Sequence, residues 1–168
     1  TKDNYLSKFH LDNKNEGVNP WGVFDEFLFT RCIKIMNEKK TGSPTMISLF
    51  TTTNHLPWII PQKYDENVNP IIPKYDLNSN EPFASSKRTM KYVDIALEEF
   101  FNEAKKYDWF DNTIFLITAD HGLNIFKDHI NDPKNAHIPF LIYNSHLSPL
   151  NIDKIVSQID ILPTILDL

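Results

Sequence analysis

In DNTIFLITADHG (residues 111–122) a turn pair, Asp111-Asn112, opens a stretch that is apolar at every position from Ile114 to Ile117. A short apolar run bounded by turn residues fits a strand covered on both faces, as in a parallel sheet lying between helices. The spacing predicts that strand over 113–118. Immediately after it the chemistry changes to Asp120-His121-Gly122. In open α/β sheets ligands bind just beyond the carboxyl ends of strands, so this stretch points at once to a fold class and to a place for a site.

Upstream, residues 84–107 repeat apolar side chains at helical spacing, with Met90, Val93, Leu97, Phe100 and Ala104 on one face. A second helix is predicted over 25–39 from Phe24, Phe27, Leu28, Cys32 and Ile35, with Asp25 as its N-cap and Thr41-Gly42-Ser43-Pro44 as its end. Thr45 to Thr53 is β-rich and apolar in its middle, which predicts a buried strand. Residues 54–82 are Pro-rich and aperiodic, a long surface excursion of the kind that often serves as a lid over a site. Downstream, a local turn is expected at Asp132-Pro133 and a third strand over 138–143, weakened by Pro139. Residues 157–168 fit a short strand and then a helix, with Asp160 as N-cap and Pro163 in the first turn. Apolar strands alternating with amphipathic helices make an α/β layered fold with a largely parallel sheet flanked by helices.

The 168 residues suit one domain, 1–168. With 41% hydrophobic and 12% aromatic residues, a packed core is expected and disorder is not. The net charge is −5 and Lys and Arg are scattered, so no nucleic-acid partner is expected. The one cysteine, Cys32, excludes an internal disulfide, and its place in a helical apolar stripe favours a buried thiol over a nucleophile. No apolar run approaches the ~18 residues of a membrane span, and Thr1 to Phe9 do not resemble a signal peptide. The chain opens in mid-flow and stops on Leu168, and so reads as a C-terminal piece of something longer.

A carboxylate beside an imidazole makes a pair suited to a divalent cation. Asp120 and His121 can share one ion if the backbone turns sharply after the strand, and Gly122 helps such a turn. The plain alternative is a turn in which Asp120 caps the next segment and His121 is a surface residue. His55, just past the 45–53 strand, can bind an anionic substrate or protonate a leaving group, or be an ordinary loop histidine. His129 and His137 follow the pair as possible further ligands, although a residue directly before a strand, such as His137, can lie at the far end of the sheet. Trp21 can line a substrate groove or staple the start of the first helix.

Six stretches in order, WGVFDEFLF (21–29), SLFTTTNHLPW (48–58), KYVDIALEEFF (91–101), DNTIFLITADHG (111–122), HIPFLIY (137–143) and SQIDILPTILDL (157–168), span nearly the whole chain. Together they resemble the sulfatase-like branch of the alkaline phosphatase superfamily. The nearest subgroup is that of lipoteichoic acid synthase-like phosphoglycerol transferases, with phosphoethanolamine transferases as cousins. The resemblance implies that Asp120 and His121 are the late metal-ligand pair, and that His55 contacts the substrate phosphate or a second metal. It also implies that one of His129 and His137 joins the same pocket, with the HIPFLIY context favouring His137.

It further implies attack on phosphorus or sulfur by a Thr hydroxyl, or by formylglycine in true sulfatases. A divalent ion, whether manganese, zinc, magnesium or calcium, assists, and a covalent enzyme intermediate passes to an alcohol or to water. The expected function is transfer of a phosphoglycerol- or phosphoethanolamine-type group from an anionic phospholipid-derived donor. The expected place is the extracytoplasmic face of a membrane, or the periplasm, with the membrane anchor upstream. A sulfatase or phosphatase hydrolase is the alternative within the superfamily, and a non-catalytic α/β binding module the alternative outside it. The chain departs from the pattern at one point. No candidate for the nucleophile or the early acidic ligand is evident in residues 1–20, and Thr51, Thr52 and Thr53 are not in the nucleophile's place, so this piece alone is expected to be inactive.

Overall fold

The computed structural model describes residues 17–39, 44–68, 84–122 and 133–167. The chain divides into two compact units, Thr1–Phe110 and Asp111–Leu168.

The first unit is built on two helices, α1 (Asp25–Glu38) and α3 (Ala84–Ala104), with a 3-10 turn (Gln62–Tyr64) and the short α2 (Asp65–Val68) between them in sequence. Phe29 and Phe100 meet with ring centroids 5.3 Å apart, and Tyr92 takes Phe24 and Tyr64 edge-on. Each such buried aromatic contributes about 1.5–3 kcal/mol by leaving water. Cys32 is buried, as its position in the stripe predicts, and burial pushes its thiol up to about 11.

Both helices are rotated relative to their expected faces. On α3 the buried line is Ser86, Thr89, Tyr92, Ala96, Phe100 and Ala104, whereas Met90, expected inside, is 49% exposed. On α1 the buried side chains are Asp25, Glu26, Phe29, Cys32 and Ile33, with Phe27 and Leu28 only half-buried. On both helices polar side chains take buried positions, among them Tyr92 and Glu26, which bond to each other. Tyr92 donates its hydroxyl proton to Glu26, and the Glu26 backbone N–H donates back to the Tyr92 oxygen (3.3 Å). Lys63 stands 3.4 Å from the same carboxylate. Burial raises the Glu26 pKa and the nearby Lys63 opposes that rise. Removing one partner of a buried hydrogen bond leaves the other unsatisfied, so Tyr92→Phe is expected to cost about 1–3 kcal/mol, read from chemical denaturation.

Asp25 is not the N-cap. Phe24 holds that position without a side-chain bond, and Asp25 lies in the first turn, fully buried. Its Oδ1 accepts from Thr53 Oγ1 (2.7 Å), Thr52 N (3.3 Å) and Thr53 N (3.4 Å).

This bond also explains the segment expected as a buried strand over 45–53. Among the described residues it pairs with no strand, and Met46 and Phe50 are 83% and 80% exposed. Its inner end is anchored on a helix carboxylate rather than on a ladder. Part of the Pro-rich excursion, residues 69–82, lies outside the described residues; its first part forms the 3-10 turn and α2.

In the second unit β1 (Phe115–Thr118) pairs with β2 (Phe140–Tyr143). The α/β class stands, but this ladder is antiparallel, from Phe115↔Tyr143 to Thr118↔Phe140. The apolar run that predicts a strand covered on both faces in a parallel sheet is only half-buried among the described residues, with Thr118 exposed, so the run fixed neither its cover nor its direction. Pro139 falls just outside the ladder, where its missing N–H costs no bond.

The strand expected at the end of the chain is instead a 3-10 turn (Gln158–Asp160) leading into α4 (Ile161–Asp167). Asp160 caps from inside a capping box: Ser157 N donates to its Oδ2 (2.8 Å). Pro163 sits in the first turn of α4, as expected.

Candidate active-site elements

Two groups of sequence-predicted residues form, one in each unit. In the second unit, β1 ends at Thr118 and the chain turns through Asp120 and His121. The His121 backbone N–H donates to Asp120 Oδ1 (3.0 Å), which fixes the carboxylate. His121 Nδ1 lies 2.9 Å from the Gly122 carbonyl oxygen. A carbonyl only accepts, so Nδ1 carries the proton and Nε2 keeps its lone pair in the neutral ring. That Nε2 is 3.8 Å from Asp120 Oδ2, and both side chains are open, at 76% and 84% exposure. Gln158 Nε2 donates to the carbonyls of Ala119 (3.0 Å) and Asp120 (2.8 Å), which holds the turn from behind.

Gly122 is required by close approach. A Cβ there would stand 2.2 Å from the Asn135 carbonyl oxygen and 3.2 Å from that of His137. Both obstacles are backbone, so neither can swing aside. Gly122→Ala is therefore expected to push the 135–137 segment away and to lower the whole protein's turnover by about 10²-fold, the scale of a 1 Å misplacement. Steady-state kinetics with a melting curve as folding control checks it.

The antiparallel register also settles where His137 lies. The start of β2 is at the same end as the finish of β1, so His137, three residues before Phe140, stands beside Gly122 and not at the far end of the sheet. His129 lies outside the described residues. Among the described residues, no group of three or more His, Cys, Asp or Glu side chains is arranged to hold a metal ion.

In the first unit Trp21 and His55 come together, with ring centroids 4.2 Å apart and planes tilted by 57°. The Trp21 indole N–H donates to the Leu56 carbonyl (2.6 Å), and His55 Nδ1 lies 3.0 Å from the same oxygen. His55 thus shares one feature with His121: its Nδ1 lies against a local carbonyl oxygen.

The sulfatase family model matches residues 2–168. The chain belongs to the sulfatase family. Within it, the chain falls in the sulfatase-like branch of the alkaline phosphatase superfamily, near the lipoteichoic acid synthases. Lipoteichoic acid synthase 1 of Bacillus subtilis is 28% identical over 180 residues, covering 99% of this chain and 27% of that protein. The uncharacterized sulfatase YdeN of Escherichia coli is 28% identical, covering 97% of this chain and 30% of that protein. Lipoteichoic acid synthase of Staphylococcus aureus is 29% identical over 132 residues, covering 77% of this chain and 19% of that protein. A crystal structure of an alkaline phosphatase superfamily protein from Vibrio parahaemolyticus superposes with a TM-score of 0.69 at 32% identity, over 89% of this chain and 34% of that one. The chain therefore spans less than a third of the length of these curated relatives.

Sulfatase and alkaline phosphatase superfamily members generally use divalent metals. The Asp120–His121 pair fits part of such a site: one hard carboxylate oxygen and one imidazole nitrogen, with the tautomer fixed by a carbonyl on the other nitrogen.

Residue type did not announce three residues that shape these groups. Gln158 holds the Asp120 turn, Asn19 holds the Trp21 turn, and Asp25 holds Thr52 and Thr53. Only Asp25 carried a signal, a carboxylate among Phe residues at a helix start, and that signal equally fits a cap.

Proposed function

We propose that this chain supplies part of the catalytic domain of a metal-dependent phosphotransferase that moves a phosphoglycerol- or phosphoethanolamine-type group from a lipid donor. The observation that carries the reading is the Asp120–His121 pair at the end of β1, with His121 Nε2 and Asp120 Oδ2 both outward and unobstructed. The similarity to lipoteichoic acid synthases from two organisms supports the transferase branch. A divalent cation bound there would supply charge neutralisation for the transferring group.

The resemblance assigns residues to this work in each unit separately. Asp120 and His121 hold one side of the cation. His55, when protonated on both nitrogens, donates from Nε2 to a non-bridging oxygen, or gives that proton to the leaving oxygen, while its Nδ1–H stays on the Leu56 carbonyl. Trp21 presents an apolar wall beside that imidazole. His137 contributes from the start of β2. The nucleophile that takes the group to form a covalent intermediate, and the early acidic ligand, come from residues outside this chain. The 168 residues alone therefore turn over no phosphodiester. In the whole protein the domain works on the extracytoplasmic face of a membrane. Among the described residues no helix is long and apolar enough to cross one.

The second reading is a hydrolase of the same family, favoured by the similarity to the sulfatase YdeN. Purified whole protein, with and without chelator, is to be offered a nitrophenyl phosphate monoester, a phosphodiester and a sulfate ester. Chelator-sensitive diester cleavage is the expected result. Preference for the sulfate ester would establish the hydrolase instead, and activity indifferent to chelator would overturn both.

A further inference from the structure

Trp21 and His55 are far apart in sequence; their side chains share the Leu56 carbonyl, and their backbones are joined through Asn19. It is 8% exposed, and every polar atom of its side chain is engaged. Its Oδ1 accepts from the backbone N–H groups of Trp21 (2.8 Å) and Gly22 (2.9 Å), which folds the Asn19-Pro20-Trp21-Gly22 turn. The same turn is closed from the other side by Asn19 N on the Gly22 carbonyl (2.8 Å). Its Nδ2 donates to Thr52 Oγ1 (3.1 Å). Thr52 in turn opens the His55 turn, since its carbonyl accepts from His55 N (3.2 Å). The Trp21 indole then closes the circuit on Leu56.

We propose that Asn19 is a positioning residue that sets the Trp21–His55 pair in register through Thr52. This rests on the assignment of His55 to the substrate. One amide side chain, 92% buried by its exposure above, fixes the backbone of one partner directly and the backbone of the other through a single hydroxyl. Asp25 grips the opposite side of the same segment through Thr53, so Thr52 has little freedom to shift alone.

The test uses the whole protein, a nitrophenyl phosphodiester, and four variants: Asn19→Ala, Asn19→Asp, Thr52→Val and His55→Ala. Thr52→Val keeps the shape and removes only the hydroxyl. Asn19→Ala and Thr52→Val are each expected to lower kcat/KM by about 10- to 100-fold, the range for a reacting group displaced by up to 1 Å. Asn19→Asp is expected to restore most of the loss, because a carboxylate still accepts from Trp21 N and Gly22 N, and Thr52 Oγ1 can donate to it. In the His55→Ala background Thr52→Val should cost nothing further, because its effect runs through the imidazole.

A purely structural role predicts something else: an equal loss from Thr52→Val in both backgrounds, which would overturn the proposal. If His55→Ala loses activity while Asn19→Ala and Thr52→Val keep it, the positioning role falls and the assignment of His55 stands. If His55→Ala is as active as the unaltered protein, the assignment itself falls and the proposal with it. Should Asn19→Ala fail to fold, the Thr52→Val cycle alone decides.

Discussion

Asp120→Ala in the whole protein is expected to abolish chelator-sensitive ester cleavage, with a loss of about 10³-fold or more. A divalent cation that neutralises charge on the transferring group contributes several kcal/mol to the barrier, and each 1.4 kcal/mol is a factor of ten in rate. Asp120 brings the only formal negative charge of the pair, and its Oδ1 also receives the His121 N–H, which fixes the carboxylate. Both functions go with the carboxylate. Asp120→Asn separates them, since it keeps an acceptor for His121 N and loses the charge. If charge matters most, Asn is nearly as poor as Ala; if orientation matters most, Asn recovers most of the activity. Asp120 is open to solvent and buries nothing, so the melting temperature should stay put in both variants. Full activity in Asp120→Ala would remove this pair from the reaction.

The second large effect is on stability and sits in the other unit. Asp25→Ala is expected to destabilise the fold by about 3 kcal/mol, because it strips the acceptor from Thr53 Oγ1 and from two backbone N–H groups in a buried setting, each an unsatisfied donor afterwards. Chemical denaturation reads it. Asp25→Asn should behave differently, and the difference has a sign. Burial holds the Asp25 carboxyl above its ordinary value, against the hydrogen bonds from Thr53 and Thr52. A carboxyl raised on folding binds its proton more tightly in the folded chain. Its contribution is fully present below the ordinary aspartate range and is lost as pH rises through the raised folded value. The second oxygen, Oδ2, is buried and accepts no hydrogen bond among the described residues, which is the ionised form's liability. Asparagine mimics the protonated state at every pH. The melting temperature of Asp25→Asn relative to the unaltered protein should therefore rise as pH goes from about 4 toward neutrality. A difference that is flat across that window would show that Asp25 does not titrate there.

The strand and turn that carry the candidate pair were legible because strand ends and residue chemistry coincide. TIFLIT followed by Asp-His-Gly predicts a strand and a sharp turn, and the structure has β1 ending at Thr118 with Gly122 where a Cβ has no room. The helices were legible as helices but not by face. On α3 Met90 fits an apolar stripe as well as Tyr92 does; what chose Tyr92 was Glu26, on another helix. Asp25 shows the same limit. A carboxylate at a helix start satisfies the rules for a cap, and only the arrival of Thr52 and Thr53 turned it into a buried clamp. The 45–53 segment has the composition of a strand, yet a strand exists only with a partner, and composition names none.

The sequence by itself thus determined the family, through six stretches that resemble it, and also the α/β class, a helix over 84–107 and the metal-suited residue pair after the 113–118 strand, which follow from local periodicity and from residues adjacent in the chain. Tertiary structure alone decided the antiparallel register that puts His137 beside Gly122, the faces that α1 and α3 bury, and the meeting of Trp21 with His55. Those depend on which distant groups satisfy each other's hydrogen bonds once water is excluded, and no local pattern encodes that.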